Sequence, residues 1–313
     1  MSATPLRVLS HLPLQLLEPV RREFPDLVLT QVPMQGEPPP DARGEVLLTH
    51  AKGSPNLAAV VARGVRWVHT FGTGVNDFPF AALGSRQLTC ARGASAGPIA
   101  EWTLAVMLAA EKRLPEMWIH EPPAHWSIAS LGSLRGRTLG LVGLGGIGAE
   151  VARLAQTFGM RVRALRRTEA ASPVPGVEIV REIATLLADA DHLVLAAPVT
   201  RATRHLIDAE ALAKVKPGLH VVNIARGELI DHEALRVALD DGRVALASLD
   251  CVDPEPLPAG HWLYAHPRVR VSAHISWSAP GALVELILPF VENLRRYRTG
   301  EPLAGVVDLE QGY

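Results

Sequence analysis

Thr138-Leu139-Gly140-Leu141-Val142-Gly143-Leu144-Gly145-Gly146-Ile147-Gly148 decides the reading of this chain. The first five residues are a short apolar run of the kind that forms a strand buried on both faces. Ala149–Phe158 reads as the helix that follows. Gly143-x-Gly145-x-x-Gly148 lies between them. Alone, GxGxxG is a weak signal that also fits a glycine-rich turn with no ligand. Between a strand and a helix it is the fingerprint of a dinucleotide site. Gly143 permits the tight turn, Gly145 lets backbone approach a pyrophosphate, and Gly148 lets the helix pack close to the sheet. The helix start at Gly146 and Ile147 then offers free N–H groups and the positive end of the helix dipole.

The next strand, Arg161–Leu165, runs into Arg166-Arg167-Thr168. A carboxylate at this place would bind a free ribose 2′-hydroxyl, whereas guanidinium groups suit a 2′-phosphate. The pattern predicts NADP(H) as the preferred cofactor, with NAD(H) second. The plainer alternative is a solvated arginine pair with Glu169 as its ion-pair partner.

Three further frames follow: Asn223-Ile224-Ala225-Arg226-Gly227, then Asp250-Cys251-Val252-Asp253-Pro254-Glu255-Pro256, then Ser272-Ala273-His274-Ile275. Hydride addition to a 2-oxo acid builds negative charge on the carbonyl oxygen. An imidazole titrates near neutral pH, so His274 can give the proton and recover it. A carboxylate beside the ring, Glu255, fixes its tautomer. Arg226 stays charged and can clamp the substrate carboxylate while polarising the ketone. Taken singly, each has a bland reading: a surface arginine at a strand end, a loop carboxylate, a core histidine. Their order behind the glycine run favours chemistry.

Composition agrees. The chain has 313 residues, 48% hydrophobic, with a net charge of −1. It can bury a large core, and there is no basic excess to suggest nucleic acid or an anionic membrane. Cys90 and Cys251 give neither a disulfide framework nor metal spacing, so no metal is expected and a reducing, cytoplasmic setting is. Met1–Leu9 lacks the pattern of a signal peptide, and no apolar run is long enough to span a membrane.

Strand-like and helix-like runs alternate along most of the chain, which predicts a doubly wound α/β fold. Leu6–Leu9, Leu27–Gln31, Val46–Thr49 and Trp67–Phe71 read as strands of a first block, with a helix over Leu12–Phe24. A helix from Pro98 to about Arg113 links it to a second series that starts at Thr138 and closes with Val269–Val271. A last helix, about Gly281–Tyr297, returns to the first block. Residues 1–96 and 285–313 then form one domain, with 97–284 inserted as the dinucleotide-binding domain. Glu116 to Leu134 is irregular and reads as an arm or lid carrying Trp118 and Trp126.

These motifs resemble the D-isomer-specific 2-hydroxyacid dehydrogenases over nearly the whole chain, and especially their NADP(H)-dependent glyoxylate/hydroxypyruvate reductases. Gly72-Thr73-Gly74-Val75-Asn76-Asp77 is similar to the family's substrate loop, and Asp250–Pro256 to its D-V-x-x-x-E-P stretch, with Cys251 in place of Val. The resemblance implies a Rossmann domain inserted into a flavodoxin-like substrate domain, and a homodimer. It implies that Arg226 binds the substrate carboxylate, that His274 is the acid/base and that Glu255 is its partner. Thr73 and Gly74 would donate to the same carboxylate, and Trp277 would narrow the pocket. Asp250 would fix the nicotinamide amide, Ala197 and Pro198 would form the adenine-side wall, and Ala225 would also line the cofactor site. Two other readings remain. Formate- or phosphite-oxidising relatives share the fold, though Glu255 argues against formate because those enzymes usually pair the histidine with Gln. A nucleotide-sensing corepressor would bind nucleotide without turnover.

Overall fold

The structure, a computed structural model, describes residues 5–167 and 171–313. Glu169, considered above as a partner for the two arginines, lies outside the described residues. The chain divides into two compact units, Met1–Ser95 with Ala279–Tyr313, and Ala96–Ser278. The second crossing thus falls ahead of the 284/285 boundary drawn from the sequence.

In the first unit, β1 (Arg7–Ser10), α1 (Glu18–Glu23), β2 (Val28–Gln31), β3 (Val46–His50), α2 (Leu57–Val61), β4 (Trp67–Phe71) and β5 (Gln87–Cys90) follow in order. The strands are all parallel and lie in the order β2-β1-β3-β4-β5, the flavodoxin-like arrangement. Successive side chains point to opposite faces of a strand, and the core divides accordingly. Leu9, Leu47 and Val68 enter one apolar layer, while Val8, Val46, Leu48 and Trp67 enter the other. The helix expected over Leu12–Phe24 is split: a 3₁₀ turn at Leu14–Leu17 precedes α1, whose first turn holds Pro19. Proline has no N–H to continue a helix from the preceding turn.

The second unit opens with α3 (Ala96–Lys112), which starts two residues before the expected Pro98. The first four N–H groups of a helix lack partners in any case, so Pro98 is accommodated within the first turn. β6 (Thr138–Val142), α4 (Gly146–Thr157), β7 (Arg161–Leu165), β8 (Glu178–Val180), α5 (Ile183–Leu187), β9 (His192–Leu195), α6 (Ala209–Leu212), β10 (Leu219–Asn223), α7 (His232–Asp240), β11 (Val244–Leu249), α8 (Trp262–Ala265) and β12 (Val269–Val271) complete it. All seven strands are parallel, ordered β12-β11-β10-β9-β6-β7-β8. Counted from β6, that is the doubly wound order in which direction reverses between the first and fourth strands, here β6 and β9. Helices α3 and α4 cover one face, burying Leu104, Met107, Val151 and Ala155 against Leu139, Leu141 and Val194. Helices α5, α6 and α7 cover the other, with Leu187, Leu212 and Leu239 against Leu193, Leu195 and Val221.

The chain then returns to the first unit through α9 (Ala282–Glu285) and α10 (Leu288–Thr299). These replace the single helix expected over Gly281–Tyr297. The interruption coincides with Pro289 in the first turn of α10. Ile287, Phe290 and Leu294 are fully buried beside Trp67, and the Phe290 ring lies 5.5 Å from the indole. No helix among the described residues is long and apolar enough to cross a membrane.

Candidate active site

In the second unit β10, β11 and β12 are neighbouring parallel strands, so their carboxyl ends share one edge of the sheet. Arg226 follows β10, Asp250 and Glu255 follow β11, and His274 follows β12. Ligands of doubly wound sheets bind at this edge.

The turn that carries Arg226 is held from within. Asn223 is fully buried, and its Nδ2 donates to Arg226 O (2.8 Å) while its Oδ1 accepts from Ala225 N (3.1 Å). The same Nδ2 reaches Cys251 O at 3.4 Å, tying the arginine turn to the loop after β11. Gly227 explains why no side chain is tolerated next. A Cβ there would overlap the Val252 carbonyl and Asp253 N. The Arg226 guanidinium donates from Nη1 to Ala225 O at 2.7 Å.

Glu255 Oε1 and His274 Nδ1 lie 2.6 Å apart, with the two side chains 39% and 37% exposed. The pair is partly solvated, not sealed in the core. His274 has φ of +54°, the left-handed region that side chains disfavour. Asp250 is buried below it and hydrogen-bonds the residues on both sides. Trp277 donates Nε1–H to His274 O (2.9 Å) and packs its ring on the apolar layer that includes Ile147 and Ala196. The indole therefore has a bracing task that its sequence position did not suggest. Cys251, Glu255 and His274 present a sulfur, an oxygen and a nitrogen within 4.8 Å of one another. Burial pushes the Cys251 thiol up, aided by the Asp250 carboxylate, which opposes the thiolate a soft cation requires.

The glycine run lies at the reversal of strand order. Gly143 has φ of +96°, and a Cβ on it would sit 2.9 Å from Ala196 O and Ala197 N at the end of β9. Gly148 passes so close to the Gly143 carbonyl that a Cβ there would overlap it. Gly145 differs, because a Cβ there would meet no protein atom within 4 Å. The fold does not need that glycine for its own packing, whereas a phosphate held by backbone N–H groups does. Gly145 and Gly146 are exposed at the start of α4, and Gly145 makes no side-chain cap. Pro198 is also exposed, and its carbonyl accepts from Thr203 Oγ1 at 2.7 Å.

Arg166 and Arg167 follow β7, the first half-buried and the second exposed. Arg166 Nη1 donates to Ala171 O (2.7 Å), and Arg181 Nη1 donates to Arg166 O (3.1 Å). Leu165 and Val180 are paired across β7 and β8, so Arg166 and Arg181 leave the sheet side by side. Arg181 was not among the residues read from the sequence; only the pairing of β7 with β8, a strand too short to show a pattern, reveals it. Thr73 and Gly74 belong to the first unit, just after β4, where Thr73 Oγ1 donates to Ala91 O at 3.0 Å.

Residues 104–276 match the sequence model described as D-isomer specific 2-hydroxyacid dehydrogenase, NAD binding domain. The chain belongs to that family. Among relatives of this dehydrogenase family member is the glyoxylate reductase of Thermofilum pendens, 30% identical over 82% of this chain and 76% of that protein. The D-3-phosphoglycerate dehydrogenase of Bacillus subtilis is 35% identical over 67% of this chain, but the match spans only 40% of that protein's length. Among solved structures, a D-isomer specific 2-hydroxyacid dehydrogenase from Xanthobacter autotrophicus, in complex with NADPH and MES, superposes with a TM-score of 0.84. It is 26% identical, covering 99% of this chain and 100% of that one.

Proposed function

We propose that this dehydrogenase reduces a small 2-oxo acid of the glyoxylate or hydroxypyruvate type to the D-2-hydroxy acid, with NADPH preferred over NADH. The observation that carries the reading is the 2.6 Å pair of Glu255 and His274 on the sheet edge that also carries Arg226. With Nδ1 committed to Glu255, Nε2 is the nitrogen left to meet a substrate oxygen. In reduction His274 donates its proton to the carbonyl oxygen as negative charge develops there. Glu255 stabilises the charged ring and keeps its orientation. Arg226 holds the substrate carboxylate. In the reverse direction neutral His274 takes the hydroxyl proton.

A nicotinamide dinucleotide supplies the hydride when bound. Gly143, Gly145, Gly146, Ile147 and Gly148 would hold its pyrophosphate, Ala197 and Pro198 its adenine side, and Ala225 and Asp250 its nicotinamide side. Arg166 and Arg167 would take a 2′-phosphate. Support for NADPH comes from those arginines and from the NADPH named with the Xanthobacter structure; support for the substrate comes from the name of the Thermofilum relative. Thr73, Gly74 and Trp277 are proposed as substrate-binding residues. A homodimer is proposed too, supported by Trp118, Trp126 and Ile128, which are 66%, 73% and 79% exposed. A reducing compartment suits the two buried free thiols.

The deciding experiment measures initial rates with NADPH and NADH on glyoxylate, hydroxypyruvate, pyruvate and phenylpyruvate, beside His274→Ala. Turnover with NADPH that the variant loses supports the reading. Faster turnover with NADH overturns the cofactor preference and leaves the chemistry. Nucleotide binding without turnover on any of the four overturns the proposed reaction.

A further inference from the structure

Asp250 is 1% exposed, directly after β11. Its Oδ1 accepts from Ser272 Oγ (2.6 Å) and from Ile275 N (2.9 Å), and its Oδ2 accepts from Ser276 N (3.0 Å). Its backbone carbonyl accepts from His274 N at 3.0 Å. A carboxylate has about four acceptor positions, so most of this one is spent on the short segment around His274. That segment is where a side-chain-bearing residue sits at φ +54°. Such a conformation is unfavourable for a residue with a Cβ and persists only where its surroundings enforce it. The His274 ring is held through Nδ1 by Glu255, and the backbone that carries it has partners of its own. The restraint comes from below, through charge-assisted bonds to Ser272, Ile275 and Ser276, and from the side, through the Trp277 indole on His274 O.

We propose that Asp250 is the positioning residue for His274. Its carboxylate holds residues 272–276 in the one backbone path that aims the ring at Glu255, and it acts on the reaction through that aim more than through a contact with nicotinamide. This inference rests on His274 being the proton donor. The mechanism is specific to an anion. Asp250→Asn keeps the shape but replaces one acceptor oxygen with an amide NH2 donor. Whichever way the amide turns, a donor faces the N–H of Ser276, or the donors of Ser272 and Ile275.

The test compares wild type, Asp250→Asn and Ser272→Ala as full-length protein. Ser272→Ala removes one bond to the carboxylate and leaves His274, Glu255 and Asp250 themselves in place. The first readout is the His274 Nδ1 proton resonance in ¹⁵N-histidine-labelled protein, assigned by its loss in His274→Asn. The second is kcat beside the Kd for NADPH. The expected result is a sharp resonance in wild type, weakened in Ser272→Ala and lost in Asp250→Asn. We expect kcat to fall by about 100-fold in Asp250→Asn and several-fold in Ser272→Ala, as for a catalytic group displaced by about an ångström, with the Kd within about twofold. An intact resonance with a tenfold weaker Kd would assign Asp250 to the cofactor instead. An unchanged resonance and kcat in both variants would show that the loop holds itself. Should Asp250→Asn fail to fold, Ser272→Ala alone decides by the same signs. Should wild type turn over no 2-oxo acid, the proposed function fails, while the resonance still reports whether Asp250 orients the ring.

Discussion

His274 has one partner on its ring, Glu255, and two on its backbone, Asp250 and Trp277. Glu255→Gln keeps the size of the partner and removes its charge. With the substrates proposed above, kcat should drop by about 10²–10⁴-fold, the usual worth of a general acid–base apparatus, with little change in unfolding free energy. Steady-state rates beside urea unfolding check both halves, and wild-type kcat in this variant would remove Glu255 from the chemistry. Gly227→Ala tests the other arm of the site. Its added methyl meets the backbone of Val252 and Asp253, which cannot swing aside as a side chain would. A loss of about 1–3 kcal/mol is expected, with a raised KM for the 2-oxo acid as Arg226 moves. These residues were legible in the sequence because each stands in a short frame of distinctive chemistry. Asn223 and Arg181 were not. Asn223 works through two hydrogen bonds inside a turn and a third to Cys251 in another loop, and Arg181 is brought beside Arg166 only by strand pairing.

At the scale of elements, the turn from β6 into α4 separates glycines the fold needs from one, Gly145, that the proposed dinucleotide would need. Gly145→Ala meets nothing within 4 Å, so stability should change by no more than about 1 kcal/mol while the Kd for dinucleotide rises. Gly143→Ala, at φ +96° and against β9, should lose both. Calorimetric unfolding and a fluorescence titration with NADPH distinguish the two, and equal affinity in Gly145→Ala and wild type would argue against a pyrophosphate at this glycine. Strands β6, β9 and β10 were readable because every residue in them is buried and most are apolar. By contrast β8 has only three residues, and Glu178–Val180 takes its place mainly by pairing with β7. Tertiary pairing of that kind leaves no local periodicity. Across β9, β10 and β11, the pattern also hid a chain of hydrogen bonds from Glu111 through His192 and His220 to Ser248, with links of 3.2, 3.0 and 3.0 Å. Burial drives the His220 pKa well down, so its ring is neutral and uses one nitrogen as donor and one as acceptor.

For the molecule as a whole, acid should weaken the first unit. Burial lowers the His69 pKa to about 3 and the His11 pKa to about 4. Below the ordinary histidine value of about 6.5, the unfolded chain takes up protons that the folded one refuses. Stability is therefore full above about pH 6.5 and declines as pH falls toward those two values, by up to about 1.4 kcal/mol per pH unit for each histidine. His69→Gln should flatten the fall of the urea midpoint between pH 7 and pH 4, and an unchanged slope would refute the assignment. The proposed homodimer predicts twice the chain mass by light scattering and monomers when Trp118 and Trp126 are both changed to Ser; a monomeric wild type would rule it out. One feature bears on how the protein is made. The apolar layer around Trp67 is completed by Ile287, Phe290 and Leu294, supplied from the far end of the chain. During translation residues 1–95 emerge before residues 96–278, yet their unit lacks its closing helix until residues 279–313 follow. The continuous unit, Ala96–Ser278, has all its strands available earlier, so of the two units the one begun sooner is the one completed later.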